Sequence, residues 1–282
     1  HNVDVLIVGG GLSGLLAAKK LAGTDKDVLL IERENELGGI LKNSNKVKSI
    51  NDQKTSEWLE KTERLLKNSS NIKILKNTTV TTYNYSNHLT AIEDRSVGIE
   101  PDNKKPELVL HKIRTENTIL ANGHIERFLS FRNNDLPGVM LAASFEKYIQ
   151  RYDVVPDNNP VIFTNNSSTY SLLKLLIDRN CIPKAYVDVR DLKKIERETL
   201  DLLEAHNIPF YPKSEIEGCD GNSEIKNISV RTKKNIMLKI KASMLCVSGG
   251  INPDIHLFTQ SKGLVKWDEK ILTFKPEKSF QK

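Results

Sequence analysis

The sequence predicts an α/β protein in which one three-layer domain carries a smaller α/β domain as an insertion. Short β-branched apolar runs alternate with helical segments, and this alternation starts again after a breaker with two prolines at 156–160. The composition, 38% hydrophobic and 28% charged, excludes disordered and fibrous classes. Its 282 residues are enough for one large or two modest domains.

The first forty residues predict a strand, a tight turn, a helix and a second strand. Val3–Val8 is apolar and β-branched, as expected of a parallel strand buried on both faces. Gly9–Gly14 forms the turn, Leu15–Leu21 the helix and Val28–Ile31 the next strand. Sequential parallel strands joined by a helix form a βαβ unit.

The remainder of the first domain combines one more helix with several strands. The predicted elements are the helix Gln53–Lys67, the strands Ile72–Leu75 and Thr78–Tyr85, a hairpin of Leu89–Val97 with Leu108–Thr115 around the polar loop Glu100–Pro106, and the strand Thr118–Ala121.

The inserted domain repeats the strand–turn–helix order. Its predicted elements are the strands Val161–Thr164, Ala185–Val189 and Ile208–Tyr211, the helices Tyr170–Arg179 and Leu192–His206, and a hairpin within Ile225–Ile240. We expect Met244–Val247 to return to the first sheet. The predicted division is therefore 1–125 for the first segment of the main domain, 126–242 for the insertion and 243–282 for the return segment.

Composition argues against several kinds of partner and site. The net charge of +6 comes from scattered lysines beside acids, so we expect no nucleic-acid partner. The longest apolar stretch, Val5–Ala18, is too short to span a bilayer, so we expect no membrane segment. The cysteines Cys181, Cys219 and Cys246 form no Cys-x-x-Cys pair, which argues against disulfide redox chemistry and zinc and favours a cytoplasmic setting. The histidines show no metal-ligand spacing, and no residue is predicted to be catalytic.

The glycine turn carries the chemistry. Gly9 permits the tight turn, Gly11 lets a pyrophosphate approach the backbone, and Gly14 lets the helix pack on the strand. Leu12 and Ser13 would offer their N–H groups to the phosphates, and Glu32 would accept hydrogen bonds from a ribose. This is the pattern of a Rossmann-like FAD/NAD(P)-binding domain, and an acid at 32 favours NAD or FAD over NADP. The alternative is a glycine turn that serves packing alone.

Further residues are candidates for the same nucleotide site. They are Arg33, Gly38 and Gly39 after the second strand, Val80 beside the adenine, Ala121, Asn122 and Gly123 at the end of a strand, and Gly249 and Gly250 after the last strand. An ordinary flexible loop, a strand pair or a strand-ending turn would also explain these positions.

The corresponding turn of the inserted domain, Asn165–Tyr170, contains no glycine. Side chains there should keep a pyrophosphate away from the helix N-terminus. We therefore predict a degenerate nucleotide site in the insertion, which leaves no obvious pair of hydride donor and acceptor in this chain.

The layout of the glycine turn, Glu32 and Gly38–Gly39 resembles that of the glutathione and thioredoxin reductase family. Three further segments carry a narrower resemblance. They are Ile119–Gly123 with Glu126–Arg127 and Asn133–Ala142 (NNDLPGVMLA), then Val161–Asn166 (VIFTNN), and finally Val247–Pro253 (VSGGINP) with His256–Phe258. In this order and spacing the chain resembles the alpha subunits of heterotetrameric sarcosine oxidases over nearly its whole length. It departs from them at Asn122, where the family has threonine, and at Phe128, where it has proline.

The resemblance implies an NAD-binding region of an amine-oxidising complex. That complex demethylates sarcosine with oxygen to glycine, hydrogen peroxide and formaldehyde, which it captures as methylenetetrahydrofolate. It uses FAD in the beta subunit and a covalent FMN at the alpha–beta interface. This chain would then be a central domain of the alpha subunit, binding NAD and the other subunits but not catalytically competent alone.

Two other functions stay open at this point. The chain could be a self-contained FAD-dependent oxidoreductase that passes electrons from NAD(P)H to an unknown acceptor, with FAD on the glycine turn. It could also be a scaffold whose nucleotide is purely structural.

Overall fold

A computed structural model describes residues 1–43, 46–96 and 106–281. The chain divides into two compact units. Unit 1 contains His1–Lys42, Val47–Ile125 and Asn252–Lys282, and unit 2 contains Asn43–Lys46 and Glu126–Ile251.

The described ranges hold these regular elements. The strands are β1 (Asn2–Val8), β2 (Val28–Ile31), β3 (Ser49–Ile50), β4 (Gln53–Lys54), β5 (Ile72–Leu75), β6 (Thr78–Asn84), β7 (His88–Asp94), β8 (Leu108–Leu120), β9 (His124–Glu126), β10 (Val139–Leu141), β11 (Val161–Thr164), β12 (Ala185–Asp188), β13 (Phe210–Pro212), β14 (Glu215–Asp220), β15 (Asn227–Arg231), β16 (Met237–Lys241), β17 (Leu245–Ser248), β18 (Ile251–Pro253), β19 (Leu264–Asp268) and β20 (Thr273–Lys278). The helices are α1 (Leu12–Leu21), α2 (Ile40–Asn43), α3 (Thr55–Asn68), α4 (Ala142–Tyr152), α5 (Tyr170–Asp178), α6 (Arg197–Ala205) and α7 (His256–Gln260). No described helix is long and apolar enough to cross a membrane.

Unit 1 is built on a six-stranded sheet in the order β5-β2-β1-β8-β7-β6. The central strand β1 runs parallel to β2 and to the end of β8, with Ile7 opposite both Leu30 and Ile119. Ile7 packs in a cluster with Leu15 of α1 and Trp58 of α3, whereas its neighbour Leu6 packs in a different cluster with Tyr83. Because successive side chains of a strand point to opposite faces, β1 is buried on both faces, as its apolar run predicts.

Two features of unit 1 bear on the predicted hairpin. The antiparallel pairing of its two strands is confirmed, with Leu89 opposite Ile113. The predicted separate strand at Thr118 is wrong, because β8 continues without a break through the exposed polar residues Glu116 and Asn117, and its part from Arg114 onward pairs with β1. Residues 97–105, which include most of the predicted loop and the end of its first strand, lie outside the described residues.

Unit 2 is built on a parallel sheet in the order β10-β17-β11-β12-β13. One face packs on α4 and α5, where Phe145 and Leu172 are buried against Ile162. The other face packs on the antiparallel sheet β14-β15-β16, where Ile228 is buried with Phe163. Both faces are therefore covered, as parallel sheets require.

Two predictions for unit 2 are wrong. The strand expected to return to the first sheet is β17, which lies between β10 and β11 with Cys246 opposite both Met140 and Ile162. The helix expected over Leu192–His206 is a 3₁₀ turn at Leu192–Lys194 followed by α6. Between the 3₁₀ turn and α6, Ile195 has an extended backbone and is buried. Its apolar side chain fitted a helical pattern in the sequence, but it packs into the core from an irregular segment.

Candidate functional site

The turn between β1 and α1 depends on two glycines for its packing. Gly9 has φ +104°, and a Cβ on it would lie 2.3 Å from the carbonyl oxygen of Ala121. A Cβ on Gly14 would lie 1.8 Å from the carbonyl oxygen of Gly9. Neither position has room for a side chain, so the close approach of α1 to β1 requires both glycines.

Gly11 is a glycine for a different reason. A Cβ on it would meet no other group within 4 Å, so packing within unit 1 does not require glycine there. Helix α1 begins directly after it without a side-chain cap and without an acid in its first turn. The first N–H groups of a helix, here those of Leu12 and Ser13, have no intrahelical acceptor. The turn therefore offers open space and backbone donors together, which fits a phosphate group.

Glu32 holds the turn in place. Its side chain is 7% exposed, and its Oε2 accepts a 2.6 Å hydrogen bond from the N–H of Gly10. Its Oε1 accepts a hydrogen bond from the N–H of Glu34 at 2.9 Å. Each carboxylate oxygen has a second lone pair, so the predicted hydrogen bonds from a ribose are compatible with both contacts.

The glycine spacing in the sequence assigns no role to Gly10. A Cβ there would lie 2.5 Å from Cδ2 of Leu37 and 3.0 Å from Oε2 of Glu32. Gly10 is therefore needed to let the buried Glu32 reach the turn. The only signal for this in the sequence is that Gly9, Gly10 and Gly11 are consecutive.

The structure brings Gly38 and Gly39 to the same turn. The N–H of Gly38, which has φ +116°, donates to the carbonyl oxygen of Gly10 at 2.8 Å. Gly39 has φ +53°, and a Cβ on it would lie 3.2 Å from Cα of Gly11. These two glycines therefore form the neighbouring wall of the open space at Gly11.

Ala121, Asn122 and Gly123 lie at the carboxyl end of β8. The N–H of Ala121 donates to the carbonyl oxygen of Val8 at 2.8 Å, which sets Ala121 against the turn. Asn122 donates through Nδ2 to the carbonyl oxygen of Asp254 at 2.9 Å. The N–H of Asp254 donates to the carbonyl oxygen of Gly123 at 3.0 Å. The amide at 122 thus ties the end of β8 to the return segment of unit 1.

Arg33 and Val80 are placed differently. The Arg33 side chain is exposed and has no ion pair among the described residues. Val80 pairs with Ala91 and packs against the cluster that contains Val8 and Ile31. Its contact with an adenine stays a prediction.

Gly249 and Gly250 lie in unit 2, where their contacts explain the residue types. The N–H of Gly249 donates to the carbonyl oxygen of Arg127 at 2.6 Å, and a Cβ on Gly249 would lie 2.9 Å from that oxygen. Gly250 has φ +92° and accepts from the N–H of Arg127 at 2.7 Å. Their contact with the dinucleotide stays a prediction.

The neighbouring Glu126 accepts from the N–H of Ala143 at 2.8 Å in the first turn of α4, and burial raises the pKa of its carboxyl.

The turn of unit 2 is filled by its own side chains. Asn166 accepts through Oδ1 from the N–H of Ser168 at 2.8 Å and donates through Nδ2 to the carbonyl oxygen of Ser248 at 3.0 Å. Nη1 of Arg190 donates to Oγ of Ser167 at 2.9 Å, and Ser167 in turn donates to Glu196. The donors and the volume that a phosphate would use are therefore already engaged.

Arg190 also neutralises the acid that ends β12. Asp188 is fully buried, and Arg190 contacts both of its carboxylate oxygens, at 3.2 Å through Nε and 2.9 Å through Nη2. Burial raises the pKa of the Asp188 carboxyl, and the guanidinium opposes that increase. The described residues contain no cluster of three or more His, Cys, Asp or Glu that could hold a metal ion.

Comparisons with known proteins agree with this geometry. Residues 7–57 match the family of NAD(P)-binding Rossmann-like domains. The chain superposes on L-proline dehydrogenase from P. horikoshii with a TM-score of 0.68 at 21% identity, covering 99% of this chain and 48% of that one. It superposes on T. acidophilum thioredoxin reductase with a TM-score of 0.69 at 15% identity, covering 95% and 83%.

The chain has the FAD/NAD(P)-binding Rossmann-type fold. The resemblance to sarcosine oxidase alpha subunits is also confirmed. The alpha subunit from Corynebacterium sp. (strain U-96) is 28% identical over 285 residues, which is 98% of this chain. The chain spans 29% of the length of that relative.

Proposed function

We propose that the chain is the NAD-binding region of a multi-subunit, sarcosine oxidase-like amine oxidoreductase. The observation that carries the proposal is the open space at Gly11, in front of a helix N-terminus that has neither a cap nor an acid. The similarity to sarcosine oxidase alpha subunits along 98% of the chain supports the choice of complex.

The described residues suit the adenosine-diphosphate half of NAD. Gly11, Leu12 and Ser13 would hold the pyrophosphate, with Gly38 and Gly39 on the other side of it. Glu32 would accept from the adenosine ribose, Val80 would lie beside the adenine, and Arg33 would pair with a phosphate oxygen. Ala121, Asn122, Gly123, Gly249 and Gly250 are the remaining proposed contacts.

The carboxylate of Glu32 selects among nucleotides. A 2′-phosphate beside this buried anion would be repelled, so NADP would bind far more weakly than NAD. FAD shares the adenosine-diphosphate half and is the alternative occupant of the same turn. When bound, the nicotinamide or flavin ring supplies a group that can accept or donate a hydride.

Unit 2 would not bind a second dinucleotide, because its turn is engaged by Asn166 and Arg190. Amine oxidation would then take place with FAD and FMN held in or with the other subunits of a cytoplasmic heterotetramer. The chain alone would bind nucleotide without oxidising sarcosine.

The first test is an absorption spectrum of the purified chain, with chromatography of any nucleotide released on denaturation. A colourless protein that releases NAD supports the proposal, and a yellow protein that releases FAD makes a self-contained flavoenzyme the better hypothesis. If the protein is empty, calorimetric titration with NAD, NADP and FAD decides. Saturable NAD binding supports the proposal, and binding of none of the three contradicts it.

A further inference from the structure

Two glutamates lie close together in unit 2, and nucleotide binding at the glycine turn uses neither of them. Glu146 lies on α4 and is 3% exposed. Glu126 is half-buried, and its Oε2 accepts from the N–H of Ala143 in the first turn of α4. Because helical side chains tilt toward the N-terminus of their helix, the carboxyl of Glu146 points toward the turn that Glu126 contacts. The two acids therefore meet at the N-terminal end of α4.

The hydroxyl of Ser171 on α5 has more acceptors than hydrogens. Its Oγ lies 3.1 Å from Oε2 of Glu146 and also 3.1 Å from the carbonyl oxygen of Ser168. A hydroxyl carries a single hydrogen, so it cannot donate fully to both acceptors. If the carboxyl of Glu146 is protonated, it donates to Ser171, and Ser171 donates to Ser168. One added proton therefore satisfies both contacts, whereas an ionised carboxylate leaves one of them without a hydrogen.

The surroundings of Glu126 suit either charge state of its carboxyl. The hydroxyl of Ser248, at the end of β17, faces this carboxyl and lies 3.0 Å from Oγ of Ser168. Hydroxyl groups donate to a carboxylate and accept from a carboxylic acid. Ser248 can therefore adjust to the gain or loss of a proton without a change in the backbone.

Electrostatics disfavours two charges at this place. Burial is the main cause that raises the pKa of the Glu126 carboxyl, and the negative charge of Glu146 raises it further. The hydroxyl of Ser248, the N–H of Ala143 and the ammonium of Lys46 oppose this increase in the pKa without cancelling it. Two neighbouring carboxyls that water solvates poorly do not both ionise at their usual pH, and they titrate as a coupled pair.

The elements packed around the pair bring few other titratable groups toward it. In β17 the thiol of Cys246 is fully buried, and burial first, with the charge of Glu126 as a smaller cause, places its pKa well above the usual value. The other charged residues of the two helices are half-buried or exposed; they are Lys147 and Arg151 on α4 and Lys174 and Asp178 on α5. The two on α5 pair with each other at 3.3 Å.

We propose that Glu126 and Glu146 share one proton in the folded chain at neutral pH, and that this proton makes the packing of α4 in unit 2 sensitive to pH. The folded chain keeps the proton to a higher pH than the unfolded chain. Its contribution to stability is therefore complete below about pH 4.5, the usual pKa of a glutamate, and is lost as the pH rises through the raised pKa. Loss of the proton leaves two anions side by side, so α4 should loosen at its N-terminal end.

The test is carboxyl ¹³C NMR of the chain labelled at the glutamate side chains, titrated from about pH 4 to pH 9. We expect one of the two carboxyls to remain protonated at pH 7, where exposed glutamates are ionised. The variants Glu126→Gln and Glu146→Gln identify the two signals. The amide of Ala143, which donates to Glu126, should shift with the same midpoint. If both carboxyls of the parent chain are ionised at pH 7, the proposal is wrong, and this result does not depend on the folding of any variant.

The same variants test whether the two acids are coupled. Each removes one carboxyl, so the remaining one should ionise at a pH lower by about one unit or more. In urea unfolding, the parent chain should lose more stability between pH 5 and pH 8 than either variant loses. The control Glu198→Gln removes an exposed carboxyl from α6 of unit 2 and should keep the pH dependence of the parent chain. The proposal is contradicted if the two variants keep that dependence, or if the control reduces it equally.

Discussion

The two strand–turn–helix–strand segments of this chain, β1–α1–β2 in unit 1 and β11–α5–β12 in unit 2, follow the same path with opposite consequences. In the first, glycines leave open space at the helix N-terminus, and the acid Glu32 accepts backbone N–H groups. In the second, Asn166 and Ser167 fill the turn, and the acid Asp188 is paired with Arg190. The same backbone path therefore gives an open turn in one unit and a closed turn in the other, and the volume and polarity of the side chains at the turn decide which.

The largest expected effect is on the packing of the first turn. We expect Gly14→Ala to lower the free energy of unfolding by more than about 4 kcal/mol, because the new Cβ would lie 1.8 Å from a backbone oxygen. Gly11→Ala, where no group lies within 4 Å, should change it by less than about 1 kcal/mol. Urea unfolding followed by circular dichroism measures both. If the two variants lose the same free energy of unfolding, packing does not require glycine at Gly14 more than at Gly11.

The next effect concerns the closed turn of unit 2. Arg190→Gln leaves the buried Asp188 without its cation and should cost about 3 kcal/mol of stability. The control Arg197→Gln removes an exposed pair with Asp201 and should leave urea unfolding unchanged. Adding Asp188→Asn to Arg190→Gln should recover part of the loss. If the single variant is as stable as the parent chain, Arg190 does not hold this turn.

A comparable effect is expected on ligand binding at the first turn. Gly11→Val places two methyl groups where the pyrophosphate is proposed to lie and should weaken NAD binding by about a hundredfold, or ~2.7 kcal/mol. Ser167→Val changes the corresponding position of unit 2 and should leave the NAD dissociation constant unchanged. Calorimetric titration measures both constants. Weakening by Ser167→Val but not by Gly11→Val would reverse the assignment of the two turns.

The smallest effect uses the cysteines, which all lie in unit 2 and are buried. Burial raises the pKa of the Cys219 thiol to about 11 and places that of Cys246 well above its usual value. Near pH 8 both thiols stay protonated, so Ellman's reagent should label them slowly, and labelling of Cys219 should become faster as the pH rises toward 11. All three should react at once in urea. Arg190→Gln should increase the labelling rate of the folded chain, whereas Gly11→Val should leave that rate unchanged. If both variants increase the rate equally, thiol labelling does not measure the opening of unit 2 separately from unit 1.

Local patterns were enough to place many elements. The strands Val28–Ile31, Ile72–Leu75 and Val161–Thr164 have the bounds that their apolar runs predict. The glycine spacing and Glu32 likewise predicted a turn, a helix and an acid that the structure brings together. These features depend on backbone freedom and on burial of adjacent residues, so they are encoded within a few positions of one another.

Other features depend on contacts between distant residues. The apolar run Met244–Val247 predicts a buried strand without specifying its sheet, and only the pairing of β17 with β10 and β11 assigns that strand to unit 2. The need for glycine at position 10 depends on Leu37 and Glu32, and the closure of the second turn depends on Arg190, twenty-three residues from Ser167. The sequence by itself thus determined many of the strands, the first turn and the kind of ligand expected there. Tertiary structure decided which sheet each buried strand joins and which turn its own side chains fill, because both depend on partners that local patterns do not specify.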